Sequence, residues 1–582
     1  MKKYLMCLAA AAFAIAACGE KEPQKTETPE ISVNPAEISV ESAGGTATLQ
    51  ITSNTKWAIS TTDAWISFEP ASGEGNASVT VTAAENTAYK EREGKLSINS
   101  TAKRLTVNVK QAAAEKPEAT KLTEIKTAED FKAFGDAMEQ GQYEATETVK
   151  LAADISVTEP IDKLLCIFDG QDHTITFNYE DKTGYSVDDP KAEDDPAGAL
   201  LSNVGLFRLV YAPVKNLKTA GTITSSTPDN TDFTYHIGGI AGYARATASF
   251  ENCTNGIKLL ATAFNTQHMG GIAGYTEEGV TVKGCTNKGS VGMTYSGSSK
   301  ASQLGGIVGH VEGVANFESC VNDGEISYIG GGTCRIGGIV GYINNVTSAL
   351  FKDCTNNGAV KNDATGYTAE KWAYAGGITG YYGTPIEACQ VLYDGCVNNG
   401  TVSSNTGGTK LRTRLGGIAA LAGNANGKFE YKNCTNNGSI TQTNGNNSAA
   451  RAQLAGIVAY AEKAATVAID GCTSNGPITT DAADVANVGV SGIIGGGAKA
   501  SAATITNVTV TSTTVLTFRA GTSAGLIGGA NEAYVSAITG KVAGSFSADG
   551  NVTVATAGNF ATMLFGRALG EGATITGVTF GE

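Results

Sequence analysis

Residues 304–329 read LGGIVGHVEGVANFESCVNDGEISYI. The segment holds a Gly-Gly-Ile-x-Gly run, a second short run closing on Cys320, an Asn-x-Gly turn and a third run. Aligned on one apolar position, it and ten similar segments place Leu206, Ile240, Ile272, Ile307, Ile339, Ile378, Ile418, Ile457, Ile493, Leu526 and Leu564 in register, 32 to 40 residues apart. Self-similarity at that period marks a solenoid or a propeller. A propeller blade needs four antiparallel strands over about 40–45 residues. Three short strands per copy fit one coil of a parallel β-helix better. The repeat predicts about eleven rungs, roughly 50 Å long at ~4.8 Å each.

Two columns of the repeat support that reading. Cys253, Cys285, Cys320, Cys354, Cys396, Cys434 and Cys472 share one position, which is Leu217 upstream and Val508, Ile538 and Val578 downstream. A column in which a thiol exchanges with Leu, Val and Ile is a packed interior stack, since free cysteine behaves as a small buried hydrophobe. Seven members cannot all pair within the column, and stacked rungs do not readily give disulfide geometry, so free thiols are expected. No Cys-x-x-Cys pair occurs, which removes a zinc knuckle. The second column is Asn255, Asn287, Asn322, Asn356, Asn398 and Asn436, then Ser474. Its amides are placed to bond from rung to rung. The glycines that follow, Gly289, Gly324, Gly358, Gly400, Gly438 and Gly476, are expected to supply positive φ.

The composition agrees. The chain has 582 residues, 42 basic and 56 acidic side chains, 73 glycines, 12 cysteines and 41% hydrophobic content. That is too long for one core and too apolar for disorder. A formal charge of −14 becomes −16 without Lys2 and Lys3 of residues 1–17, so nucleic acid is not the expected partner.

Ahead of the repeats, Lys2 and Lys3 precede an apolar run, Tyr4 to Ala17, too short to span a bilayer comfortably, which reads as a signal peptide over residues 1–17. Ile15-Ala16-Ala17-Cys18 resembles the lipobox of bacterial lipoproteins, which implies acylation of Cys18 and a stable outer-membrane anchor. Residues 18–30 then form a solvated tether. Glu20 and Glu22 resemble the acidic export signal of surface lipoproteins in Bacteroidota, which implies cell-surface exposure, with periplasmic placement as the alternative.

Residues 31–112 alternate in short β-rich runs with turn punctuation and predict a small antiparallel β-sandwich. They resemble the BACON family through Trp57, Trp65-Ile66, Pro70-Ala71-Ser72-Gly73, Val79-Thr80-Val81, Glu85-Asn86-Thr87 and Val107-Asn108-Val109-Lys110-Gln111. The resemblance implies carbohydrate binding and no catalysis. Trp57 and Trp65 could offer indole faces to sugar rings or plug the sandwich core, and the module could be a spacer. After a linker, 113–126, Thr127-Ala128-Glu129-Asp130 with Phe131, Phe134 and Met138 predicts a capping helix that ends at Gly141. It and the first coils, with an acidic insertion, occupy 127–203, and the repeat β-helix occupies 204–582. The repeats resemble the GLUG type, as does the approach through Lys150-Leu151-Ala152-Ala153-Asp154-Ile155, Phe168-Asp169-Gly170-Gln171-Asp172-His173-Thr174-Ile175, Gly205-Leu206-Phe207 and Lys215-Asn216-Leu217. This resemblance implies a β-helical surface protein of Bacteroidota and says little about activity. The motif weakens in the last copies, at Ser491-Gly492, Ala524-Gly525 and Thr562-Met563.

The expected fold class is therefore all-β, a small antiparallel sandwich followed by a right-handed parallel β-helix with a short N-terminal capping helix. No carboxylate recurs on the strand columns, which argues against the paired acids of a glycosidase and for a protein that is not an enzyme. No cofactor is expected, although the acidic run 180–195 could hold calcium through oxygen ligands; without fixed ligand spacing it reads as a solvated loop. One further column is Tyr243, Tyr275, His310, Tyr342, Tyr381, Leu421 and Tyr460, an aromatic ridge able either to bind a glycan or to stabilise the coil. Another, His236, His268, Gln303, Arg335, Tyr374, Arg414 and Gln453, is chemically mixed, and two stacked imidazoles make a poor metal site without a third ligand. Insertions such as 361–373, with Trp372, mark the side of a solenoid that tends to recognise partners. The expected function is non-catalytic binding of a glycan or host surface component, adhesin-like. The alternative is a structural or protein-interaction module with an envelope protein partner, and a polysaccharide-degrading enzyme is the third reading.

Overall fold

The computed structural model describes residues 28–88, 90–115, 118–181, 202–226, 234–297, 300–367, 371–383, 388–408, 410–423, 427–445, 451–462, 465–482, 488–498, 502–519, 522–531, 534–536, 538–548, 551–554, 564–565 and 575–580. The signal segment, Cys18 and nearly all of the acidic run 180–195 lie outside them. The chain divides into two compact units, Met1–Glu118 and Ala119–Glu582.

In the first unit, Ile31–Asn34, Gly45–Ser53, Ala77–Ala83 and Ile66–Glu69 form a four-stranded sheet. Glu37–Val40, Arg104–Gln111, Arg92–Ser100, Lys56–Ser60 and Ser72–Glu74 form a five-stranded one. The pairings are antiparallel except one, Glu37–Val40 beside Arg104–Gln111, which is parallel. Alternate residues point inward, as period two requires, so Leu49, Ile51, Val79, Val81, Leu96, Ile98, Val107 and Val109 form the core.

The second unit opens with helix α1 (Ala128–Glu139). Thr127 accepts a bond from the Asp130 N–H and Asp130 answers at the Thr127 N–H, a capping box that satisfies two otherwise orphaned donors. The helix buries Phe131, Phe134, Ala137 and Met138 against the first coil, with Phe134 5.9 Å from Phe168 and Phe131 6.1 Å from Phe207. It ends at the C-cap Gln140, and Gly141 follows at φ +68°. A terminal coil left bare would expose apolar side chains and strand edges, which this helix covers.

Beyond it rises a parallel β-solenoid. One turn runs Ala301–Gly305, Val308–Glu312, Ala315–Glu318, then Val321–Asn322 with Ile326–Gly330. These strands belong to four stacked sheets of 10, 11, 13 and 22 strands respectively, here called the histidine, tyrosine, inner-aromatic and asparagine sheets after their residue columns. Each turn therefore has four faces where the sequence suggested three strands. The Gly-Gly pair is a corner, and the residues before it make a face of their own. About eight turns stack in this way, against eleven copies in the sequence. The regular stack breaks down at its C-terminal end: Ser545–Ala548 and Asn551–Val554 pair antiparallel, and the copy at Leu564 contributes the isolated bridge from Phe565 to Gly528.

All ten described cysteines are free and buried. In the column, Leu217 through Cys472 to Val508 stand in register. Val508 then pairs with Gly540 and Gly540 with Val578, so Ile538, although buried, lies two residues out of the column beside a register shift. The inner-aromatic sheet adds a stack that the repeat alignment does not single out: Phe317, Phe351, Tyr393 and Tyr431, with centroids 5.3, 5.0 and 4.7 Å apart.

The asparagine column is one continuous bonded ladder. Each Nδ2 donates to the next Oδ1 at 2.8–2.9 Å from Asn255 to Asn436. The second N–H of Asn287 and its successors goes to a backbone carbonyl two residues on. The expectation for the glycines behind it is corrected. Positive φ belongs instead to the residue before the cysteine: Asn252, Gly284, Ser319, Asp353, Gly395, Asn433 and Gly471. Gly324 and Gly358 are glycines for another reason, since a Cβ there would overlap the carbonyl of the turn beneath.

Candidate functional site

In the seven copies from His236 to Gln453 the histidine-sheet position stands seven residues before the tyrosine-sheet position, as in His236 and Tyr243 or Arg335 and Tyr342, with a Gly-Gly corner between, or Ala455-Gly456 in the last of them. The corner is so tight that a Cβ at Gly238 would overlap the carbonyl of Ala241, and one at Gly239 would meet the Asn255 amide. Both columns point away from the core, yet the corner folds them against each other into one interleaved ladder. His236 lies 5.4 Å from Tyr243 and 4.9 Å from Tyr275; His268 lies 4.3 Å from His310; Tyr374 lies 4.5 Å from Tyr381. The sequence reading treated the columns separately. Their constant seven-residue offset across two glycines was the signal that joins them.

Three of the chain's 4 histidines meet here. His236 Nδ1 lies 3.0 Å from His268 Nδ1, His268 Nε2 lies 3.3 Å from His310 Nδ1, and His310 Nε2 lies 3.2 Å from Glu312 Oε2. A carboxylate only accepts, so the network assigns the protons in one direction: His310 Nε2 donates to Glu312, His268 Nε2 to His310, and His236 Nδ1 to His268. Burial, with a smaller push from His310, brings His236 down to about 3; burial likewise holds His268 well below its ordinary value. His310 is lowered by burial in spite of Glu312. The imidazoles form a chain and do not converge, and among the described residues no group of three or more His, Cys, Asp or Glu is arranged to hold a metal ion.

The ladder's flat faces are largely taken by its own members. Tyr243 stacks on Tyr275 at 4.5 Å and Trp372 on Tyr374 at 5.6 Å. Guanidinium groups cover others: Arg335 lies 4.3 Å from the Tyr342 centroid and 4.6 Å from that of Tyr381, and Arg414 lies 4.6 Å from Trp372 and 3.8 Å from Tyr460. Thus Tyr243, Tyr275, His310, Tyr342, Tyr381, Tyr460 and Trp372 come together, but as a self-stacked ladder rather than a bare sugar platform. Leu421 interrupts the rings and is buried. In the sandwich, Trp57 is 3% exposed, with its N–H given to the Gly75 carbonyl at 2.9 Å. It plugs the core and has no face to offer a ligand, which corrects its place among the candidate binding residues. Trp65 is half-buried, and Arg92 covers it at 4.4 Å.

A second feature, missed in the sequence, lies on the outer face of the asparagine sheet. A trough of about 700 Å³ is lined by Glu180, Thr224, Ser226, Leu260, Thr262, Gly292, Thr294, Ser327 and Ile329, among others. Two outward columns make its floor: Glu180, Thr224, Leu260, Gly292 and Ser327 are successive partners, and so are Ser226, Thr262, Thr294 and Ile329. Gly292 leaves the hollow between Leu260 and Ser327. At 48% and 42% exposure, Leu260 and Ile329 are the large exposed hydrophobic side chains of the described residues, and both are in this trough. Period two would have revealed them, because Leu259 points in and Leu260 must then point out. Glu180 is exposed, whereas Asp181 is buried and accepts from the Ser225 hydroxyl, and both line the trough.

Comparison with known proteins bears on the first unit. Residues 55–112 match the family model described as "BACON: Putative binding domain, N-terminal". The match begins within the sandwich, whose first strand starts at Ile31. No curated protein matches the sequence. Among solved structures, a Bacteroides ovatus GH5 xyloglucanase in complex with a XXXG heptasaccharide is 27% identical over 15% of this chain and 20% of its own, at a TM-score of 0.15. WR4, a C. elegans MSP family member, is 17% identical over 14% of this chain and 97% of its own (TM-score 0.13). Domains 4 and 5 of the S-layer protein SbsC are 20% identical over 15% of this chain and 54% of theirs (TM-score 0.12). At these scores none of the three bears on the solenoid or its ligand.

Proposed function

We propose that the protein is a non-catalytic, adhesin-like binding protein, held to the outer membrane through Cys18 and displayed at the cell surface, and that its trough takes an extended glycan. The observation that carries this reading is the concentration of exposed Leu260 and Ile329 among Thr224, Ser226, Thr262, Thr294 and Ser327. A sugar chain presents apolar C–H faces beside hydroxyls and needs a surface mixed in the same way. The column from Glu180 to Ser327 spans about 19 Å, at about 4.8 Å per rung, enough for several sugar units in line. Binding is also in keeping with the description of the family matched at residues 55–112.

A glycan array on residues 19–582 tests this. Neutral oligosaccharides should bind the native chain and fail to bind a Leu260→Asp, Ile329→Asp variant, whose substitutions are both at exposed sites and should leave the fold intact. Equal binding by both proteins would refute the trough. No glycan binding at all, with an envelope protein co-purifying, would favour the structural reading. Protease shaving of intact cells checks the display.

A further inference from the structure

We propose that Arg335, on the corner ladder, is an anion-binding site that takes the carboxylate or sulfate group of an acidic glycan. It lies on the histidine sheet and stands independently of the trough.

The ladder's other cations show what is missing. Arg245 bonds Glu277 at 2.6 Å, and Arg414 bonds Glu462 at 2.6 Å. These acids stand two residues past the tyrosine-sheet position, where successive copies read Glu277, Glu312, Asn344, Gly383, Gly423 and Glu462. Arg414 reaches one turn forward to find its acid, from the copy of Leu421 to that of Tyr460. The same step from Arg335 arrives at Gly383, which has no side chain. The slot in its own turn is Asn344, whose amide is directed to Glu312 and whose Oδ1 accepts from the Tyr342 hydroxyl. Gly383 backs directly onto the Tyr342 hydroxyl and Asn344, which a Cβ there would meet, so the next turn brings no acid to the ring that carries the guanidinium.

Arg335 is left as a cation sandwiched over Tyr342 and Tyr381, its Nε buried without a hydrogen-bond partner, next to the equally unsatisfied Gln303 Oε1. A guanidinium without a carboxylate partner is costly to bury even in part, and a charge-assisted bond to its terminal N–H groups is correspondingly strong. The planar fork of a guanidinium matches two oxygens of a carboxylate or sulfate. With a formal charge of −14 on the whole chain, long-range attraction does not bring an acidic chain in, so recognition rests on this short-range contact. Such an ion pair weakens as salt rises.

Isothermal titration would compare an oligogalacturonate, a sulfated oligosaccharide, a neutral maltooligosaccharide and inorganic sulfate, at low and high salt. The full chain should bind an acidic oligosaccharide at least tenfold more tightly than the neutral one, with affinity falling as salt rises. Arg335→Gln should remove that preference and Arg335→Lys should restore part of it. Asn344→Glu keeps the arginine but places an internal acid in the adjacent slot, and it should block acidic ligands as well. The Leu260→Asp, Ile329→Asp variant should keep the preference, which separates this site from the trough. No preference for acidic ligands, or an unchanged preference in both Arg335→Gln and Asn344→Glu, would overturn the proposal. Binding of inorganic sulfate alone would do the same, since it shows an ion site without a glycan.

Discussion

Replacing Asn356 by leucine should destabilise the solenoid by about 3 to 6 kcal/mol. Asn356 is fully buried; it accepts from Asn322 at 2.8 Å and donates to the Gly358 carbonyl at 2.9 Å and to Asn398 Oδ1 at 2.8 Å. Leucine has a similar volume and leaves three polar groups without a partner: one N–H of Asn322, the Gly358 carbonyl and Oδ1 of Asn398. Each orphan costs about 1–3 kcal/mol, and local relaxation recovers part of the sum. Solenoid turns touch only their neighbours, so the damage should be confined. Urea melts give the total, and amide exchange gives the place: Val321–Asn322, Thr355–Asn356 and Val397–Asn398 should open first, with the sandwich unaffected. A loss below about 1 kcal/mol, or faster exchange spread evenly over both units, would show that the ladder is not a bonded structural element, because three orphaned groups cannot cost so little.

Acidification should weaken the corner ladder. His236 sits at about 3 when folded, against 6.5 ordinarily, and burial lowers His268 and His310 too. The unfolded chain therefore binds more protons below about pH 6.5, and the contribution present above that pH is lost as it falls toward 3. Urea midpoints at pH 7.5 and 4.5 should differ less in a His236→Gln, His268→Gln variant than in the native chain; an equal difference would refute the assignment. The cysteines should be silent toward a thiol reagent in the native state and react on unfolding, since all ten described are buried and burial pushes Cys166 and Cys334 up to about 12. Rapid native labelling of the column would contradict this. Gly358→Ala should prevent its turn from closing, whereas Asp353→Gly, at φ +52°, should be tolerated; thermal melts of the two variants rank them, and the reverse order would refute the assigned roles.

Some of the candidate site was legible before any coordinates, and some was not. The columns of His236 and Tyr243 were both visible, because side chains at one repeat position become axial neighbours. What they do was not visible: two outward columns on separate faces became one stacked ladder, and Trp372 joined it from the first position of its strand on the histidine sheet. Leu260 and Ile329 are single residues without a repeat partner of their own kind, so the alignment passed over them. Arg335 was legible as a column member, but its missing counter-ion was not, since the acid that partners an arginine here belongs to the next turn.

The sequence by itself determined the solenoid, the asparagine column and the cysteine column as far as Val508. A period of 32 to 40 residues returns like side chains to like positions, and a thiol, Leu or Val fills one buried slot equally well. Only the tertiary structure decided the angle between faces, the role of each glycine and where the trough opens the outer surface. Those depend on how closely one backbone approaches another, as at Gly238 and Gly358, and a one-dimensional repeat records which residues stack without recording the space between them.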